Sequence, residues 1–123
     1  MKHSVLKQHW AQSRQQLSCP VTVLGSYQKP QEEQGGLLCL IDETGRLQKM
    51  VELTMPTGMA RSDKGVLIAS LDSIHEVAVD LSVVHRDIVS LPLFNTLHSM
   101  SRTRREYLVA STGLDLLVEF TRD

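Results

Sequence analysis

The chain is poor in aromatic side chains, cysteine and proline: its 123 residues include one Trp, two Tyr, two Phe, two Cys and four Pro. Two cysteines are too few for a disulfide framework, and Cys19 and Cys39 lack the close paired spacing of a zinc site. We therefore expect two reduced, partly buried thiols, because free cysteine behaves as a small apolar residue.

The sequence also lacks an excess of either charge. Lys and Arg number 13 and Asp and Glu number 14, so the formal net charge is -1 and there is no basic surplus for phosphate-backbone binding. No apolar run approaches the roughly 20 residues of a membrane span, and the first residues have no secretory apolar region. The sequence therefore predicts a soluble, cytoplasmic protein whose partners include neither nucleic acid nor a membrane.

Helical spacing is confined to the beginning of the chain. Leu6, Trp10, Ser13 and Leu17 follow one another at intervals of a helical turn, which predicts a short amphipathic helix over residues 4–17. Pro20 ends it. We expect a helical segment over residues 1–18 and a second structural unit over residues 19–123.

After Pro20 the pattern changes to short β-rich runs separated by turn residues. The runs are 21–27, 36–42, 46–53, 58–61, 66–70, 75–80, 83–91, 97–101, 107–111 and 116–121. Turn signals lie at residues 42–45, 63–65 and 111–113. Short strands in close succession favour antiparallel meanders, because a parallel crossover needs a dozen or more residues.

An internal repeat is the most informative feature of the sequence. Residues 58–70 resemble residues 98–111, with Ala69-Ser70 matching Ala110-Ser111 at a separation of 41. A weaker copy precedes them, with Ser26 in the place of Ser70. A period near 40 residues built from four short strands is typical of a β-propeller blade.

The repeated motifs resemble the diverged six-bladed β-propellers of the NHL-repeat and gluconolactonase-like group. The motifs are Gly58-Met59-Ala60, Asp63-Lys64-Gly65, residues 66–70 and residues 77–80, and again Met100, residues 107–111 and residues 118–123. The resemblance implies blades around a central channel, with loops on one face that carry the functional site. Ser70 and Ser111 stand where that group often has an aspartate, which speaks against an acidic metal ligand there.

The fold class that we predict is all-β: an antiparallel meander of about two and a half β-propeller-like blades, with a short N-terminal helix. A ring of so few blades leaves sheet faces and edges uncovered. We therefore expect either a fragment of a longer product or a homo-oligomer, in which other copies supply the missing sheets.

The strand assignment also predicts the inward-facing positions of the core. These are Val66, Ile68, Val77, Val79, Leu108, Val118 and Phe120.

Under the propeller resemblance, the candidate ligand-binding residues lie in the loops of one face. They are Asn95, His98, Asp72, Thr57 and Asp115. His98, Asn95 and Asp72 have the donor types for a metal site or for a base with its orienting group. The alternative is that these residues hydrogen-bond loop backbone to strand ends.

No nucleophile elbow, phosphate loop, dinucleotide fingerprint or paired-cysteine zinc motif is present. We therefore expect a non-enzymatic binding or assembly module without a cofactor, which self-associates through β-sheets and presents loops to a protein or small molecule. The alternative is a metal-dependent, gluconolactonase-like hydrolase that is complete only as an oligomer or a longer chain. A third interpretation is a remnant gene product without an evolved activity.

Overall fold

The structure is a computed structural model that describes residues 17–28 and 34–121. The strands in the described part are β1 Val21–Gln28, β2 Gln34–Ile41, β3 Leu47–Glu52, β4 Pro56–Arg61, β5 Val66–Ser70, β6 Ser73–Val77, β7 Val84–Val89, β8 Leu97–Arg102, β9 Glu106–Ser111 and β10 Leu116–Thr121. A single 3-10 turn, Thr112–Leu114, connects β9 to β10. Each predicted run overlaps one of these strands, so the prediction of an all-β chain is confirmed.

The strands form three antiparallel meanders. The first sheet has the order β1-β2-β3, the second β4-β5-β6-β7 and the third β8-β9-β10. Tight turns separate neighbouring strands, as the turn residues predict: the amide of Gly45 donates to the carbonyl of Asp42, with φ of 77° at Gly45. Only a glycine adopts this left-handed backbone without strain.

The second sheet lies between the other two. Leu67, Ala69 and Ile74 pack against the third sheet in one apolar core. Ile68 and Val77, which point the opposite way, belong to a second core shared with Leu24 and Leu38 of the first sheet. Because both faces of this sheet are covered, every residue of β6 is buried.

Two glycines allow the sheets to approach closely. A Cβ atom on Gly58 of β4 would overlap the carbonyl oxygen of His98 and lie 2.8 Å from the amide nitrogen of Met100 in β8. A Cβ atom on Gly36 of β2 would lie 2.6 Å from Cγ of Pro56. The backbones at the starts of β4 and β8 are therefore in direct contact.

The strands of the second sheet and of the third sheet pair in equivalent registers. Met59 faces Ile68 in the second sheet, and Met100 faces Val109 in the third. Arg61 and Arg102, which end β4 and β8, lie 41 residues apart, and the guanidinium of Arg102 donates to the carbonyl of Arg61 at 3.5 Å. The spacing of these paired positions equals the separation between the repeated sequence motifs.

The predicted core is correct except at two positions. Ile68, Val77 and Val118 are buried, and Val66 and Phe120 are half-buried and pack against the two cores. Leu108 was assigned wrongly to the core, because Tyr107 and Val109 are the inward residues of β9 and Leu108 lies on the opposite face, where it pairs with the exposed Glu119.

Val79 was assigned wrongly to the core, since 63% of its surface is exposed. β6 ends at Val77, and Ala78 begins a turn in which the amide of Leu81 donates to the carbonyl of Ala78 at 2.9 Å. Leu81 fills the core instead and is 2% exposed.

The predicted helix over residues 4–17 lies outside the described residues, apart from Leu17. The amide of Leu17 donates to the carbonyl of Glu43 at 2.7 Å. In the described part of the chain, no helix has the length and apolar character needed to cross a membrane.

Both cysteines are free thiols. Cys39 is buried, and its burial raises the pKa of the thiol above the ordinary value. Cys19 is exposed, so the expectation that both thiols are partly buried is wrong for this residue. Cys19 precedes the first strand and lies outside both apolar cores.

Candidate functional site

The candidate site is a cleft of about 250 Å³ where the starts of β4 and β8 meet the second half of β1. Its described lining residues are Leu24, Gly25, Ser26, Met55, Pro56, Thr57, Leu71, Thr96, Leu97 and His98. The lining is mixed, with apolar side chains beside two threonines, a serine and one imidazole. It suits a ligand with both apolar and hydrogen-bonding groups.

Two equivalent backbone bends shape the cleft. Met55 and Thr96, the residues immediately before β4 and β8, have positive φ angles of 42° and 51°. Such a left-handed residue costs free energy in a non-glycine and persists only where neighbouring contacts fix it. The bends place Thr57 and His98 at matching positions at the second residue of each strand.

Buried serines fix these bends. The Ser70 hydroxyl at the end of β5 donates to the carbonyl of Thr54. The Ser111 hydroxyl at the end of β9 accepts from the amide of Asn95 at 2.9 Å and approaches the carbonyls of Leu93 and Asn95 at 2.7 and 3.0 Å. The two serines thus tie the loop before one strand to the end of the next.

We expect Ser111→Ala to lower the free energy of unfolding by about 1 to 3 kcal/mol, because it removes the buried hydroxyl that accepts from the amide of Asn95. Ser90→Ala is the matched control. The exposed Ser90 hydroxyl donates to the carbonyl of Asp72 at 3.2 Å, so its loss should cost under about 0.5 kcal/mol. Urea unfolding measures both values, and equal losses would contradict the proposed role of Ser111.

Thr57 and His98 are the two predicted site residues that line the cleft. The Thr57 hydroxyl donates to the carbonyl of Leu97 at 2.7 Å, which ties β4 to β8. His98 is exposed and is the only titratable side chain among the described lining residues. Thr57 therefore positions the wall of the cleft, whereas His98 is available to a ligand.

The other three predicted site residues are exposed and lie outside the described lining of the cleft. Asn95 Oδ1 accepts from the Thr96 hydroxyl at 3.0 Å, next to the lining. Asp72 lies in the β5–β6 turn, and Asp115 ends the 3-10 turn with φ of 52°. Asn95 and Asp115 thus lie in connecting loops.

No group of three or more His, Cys, Asp or Glu side chains in the described residues could hold a metal ion. Sequence reasoning missed the contribution of β1, which lines the cleft with Leu24, Gly25 and Ser26. The one signal for it is the sequence match of Ser26 with Ser70.

A buried histidine lies outside the cleft. His75 is 5% exposed, because β6 is covered on both faces. Its Nδ1 accepts from the amide of Asp87 at 2.9 Å, which leaves the proton of the neutral ring on Nε2. Burial lowers the pKa of His75; Asp87 and Asp72 oppose this shift, and Arg86 adds to it.

This lowered pKa predicts a pH dependence of stability. The unfolded chain binds the His75 proton more readily than the folded chain does, so stability should be full above the ordinary pKa near 6.5 and fall as the pH drops below it. His75→Asn keeps an acceptor for the Asp87 amide and should flatten the dependence between pH 7 and 5.5. Urea unfolding at each pH tests this, with the exposed His85→Asn as control; an unchanged slope in His75→Asn would contradict the assignment.

Comparison with protein-family models, with curated proteins and with solved structures finds no match to this chain.

Proposed function

We propose that this protein is a non-enzymatic binding and assembly module whose sheets are arranged as successive propeller-like blades and which self-associates through a β-sheet. The internal repeat of the sequence and the shared register of the second and third sheets support the blade arrangement. The order of packing also supports it, because β8 packs against β4 and β5 of the preceding sheet, and β4 packs against β1 and β2.

The observation that carries the assembly proposal is the outer edge of β10. In the described part of the chain β10 pairs only with β9, and it presents Leu116 and Leu117 with 41% and 69% of their surface exposed. An apolar edge strand is a template for pairing with another chain. Two β10 strands can pair antiparallel across a two-fold axis, which gives a closed dimer.

The edges of the other two sheets differ from β10. β3 carries exposed Lys49 and Glu52, and β7 carries exposed Arg86 and Asp87 with an irregular register against β6. Charges and register irregularities protect sheet edges from pairing. β10 has a single charged residue, Glu119, and is therefore better suited to association than β3 or β7.

The intact protein should sediment as a dimer at micromolar concentration, with twice the mass of the 13.8 kDa chain. Leu117→Lys should shift it to monomer, since a buried unpaired ammonium in the interface costs several kcal/mol. Val83→Lys is the matched control, because Val83 is 47% exposed but lies in the turn before β7.

A wild-type monomer, or equal effects of the two lysines, would contradict the assembly proposal. The alternative function, a metal-dependent hydrolase, makes a different prediction. A rise in Tm on adding calcium or zinc, lost in His98→Ala, would favour the hydrolase.

A further inference from the structure

The pairing of β6 with β7 is interrupted by a bulge opposite His75. The register shifts between Ile74 and Glu76, so His75 alone stands opposite residues 86–88 of β7. The middle residue of these three, Asp87, has a left-handed backbone with φ of 52°. A residue other than glycine keeps this conformation only where neighbouring contacts fix it.

Two hydrogen bonds from β6 fix the bulge. The amide of Asp87 donates to Nδ1 of His75 at 2.9 Å, and the hydroxyl of Ser73 donates to Oδ1 of Asp87 at 2.7 Å. Ser73 and His75 are buried, whereas 68% of the Asp87 side chain is exposed. One of the two bonds therefore requires a buried ring nitrogen that carries no proton.

Protonation of His75 removes this acceptor. Both nitrogens of an imidazolium are donors, so Nδ1 could no longer accept from the amide of Asp87. The nearest carboxylate oxygen, Oδ1 of Asp87, lies 3.8 Å from Nδ1, which is too far for a hydrogen bond in the present geometry. A charged His75 is therefore incompatible with the closed bulge.

The charges around His75 oppose one another. Burial is the main cause of its lowered pKa; Asp87 and Asp72 counteract it, and Arg86 adds to it. β5, the neighbour of β6 on its other side, has the sequence VLIAS and no charge. The closed strand pair thus favours the neutral ring, and an open pair would return the ring to its ordinary pKa near 6.5.

Other charged groups of this region act elsewhere. Glu76 faces His85 in the register, and because it is the neighbour of His75 in β6 this pair lies on the opposite face of the sheet. Lys49 of the first sheet acts on Asp80, in the turn that connects β6 to β7.

β7 is held less firmly than the inner strands. In the described part of the chain it pairs only with β6, and three of its six residues are exposed. Segments with irregular pairing and few buried side chains open at a lower free energy than the whole molecule. A change at the bulge should therefore release β7 before the three sheets unfold.

We propose that β7 is an acid-released strand: protonation of His75 frees the amide of Asp87, and β7 separates from β6 while the other strands stay paired. The separation uncovers the amides and carbonyls along the outer edge of β6, which β7 occupies in the closed form. The device is independent of association through β10.

The test is amide hydrogen exchange of the intact chain at about pH 7.5 and pH 5.5, corrected for the intrinsic effect of pH on exchange. Opening should increase about tenfold between these values, because an exposed ring binds a proton below pH 6.5 and the closed one does not. The Asp87 amide should exchange about tenfold faster at the lower pH.

Urea separates release of β7 from global unfolding. Local opening exposes little surface, so at pH 5.5 the exchange of β7 amides should be nearly independent of low urea concentrations. The amides of β9, which lies between β8 and β10, should exchange at least about tenfold more slowly and accelerate with urea. Equal rates and equal urea dependence in β7 and β9 would overturn the proposal.

His75→Asn retains an acceptor for the Asp87 amide and cannot be protonated, so the acceleration at low pH should disappear. His85→Asn is the matched control, because it removes a titratable ring from β7 on the other face and should keep the tenfold change. The ring of wild-type His75 gives a second measurement: nitrogen chemical shifts at pH 7.5 should show the proton on Nε2. A proton on Nδ1, an acceleration under about twofold in the wild type, or an unchanged acceleration in His75→Asn would overturn the proposal.

Discussion

Replacing Gly58 with alanine is expected to destabilise the protein by about 3 kcal/mol or more. The added methyl group would overlap the carbonyl of His98 and approach the amide of Met100, and both are backbone atoms that no side-chain rotation can move away. β4 and β8 would have to separate, which would also break the bond from Thr57 to the carbonyl of Leu97. Urea unfolding measures the loss.

Gly25→Ala is the matched control for this substitution. It makes the same chemical change in a strand, but the new methyl group meets nothing within 4 Å. Its expected effect is within about 0.5 kcal/mol of zero. Similar losses in the two variants would show that β4 and β8 are not in backbone contact.

Truncation of Leu97 to alanine is expected to cost about 3 to 5 kcal/mol. Leu97 is fully buried in the core shared by the second and third sheets, beside Ile74 and Val109. Removing its side chain leaves a cavity that strands held by backbone hydrogen bonds cannot easily close. Thermal and urea unfolding should both report the loss.

The control for this truncation is Leu93→Ala in the loop before β8. Leu93 is 49% exposed, so the same change should cost under about 1 kcal/mol. If Leu97→Ala cost no more than Leu93→Ala, Leu97 would not lie in a packed core.

The strands were predictable because their signals are local. Alternating apolar residues mark the strands, and Asp42 and Gly45 or Asp63 and Gly65 mark the turns between them. Strand ends were less accurate, as Val79 shows. A turn hydrogen bond between Ala78 and Leu81 ends β6 early, and β-propensity alone does not reveal it.

The site was predictable only in part. Thr57 and His98 line the cleft because they are repeat-equivalent residues at the starts of β4 and β8. The contribution of β1 was missed, since Leu24 and Gly25 carry no chemical motif. Their role depends on which strand lies beside them.

The sequence alone therefore determined the set of strands, their antiparallel order and the repeat, because each depends on contacts between neighbours in the chain. Only the tertiary structure decided which sheet lies in the middle. That placement covers both faces of β6 and buries His75, where alternation within a strand predicts one exposed face. It likewise decided the backbone contact at Gly58 and the cleft beside β1. Both arise where strands distant in the chain meet, and the side chains of a strand do not specify which distant strand lies next to it.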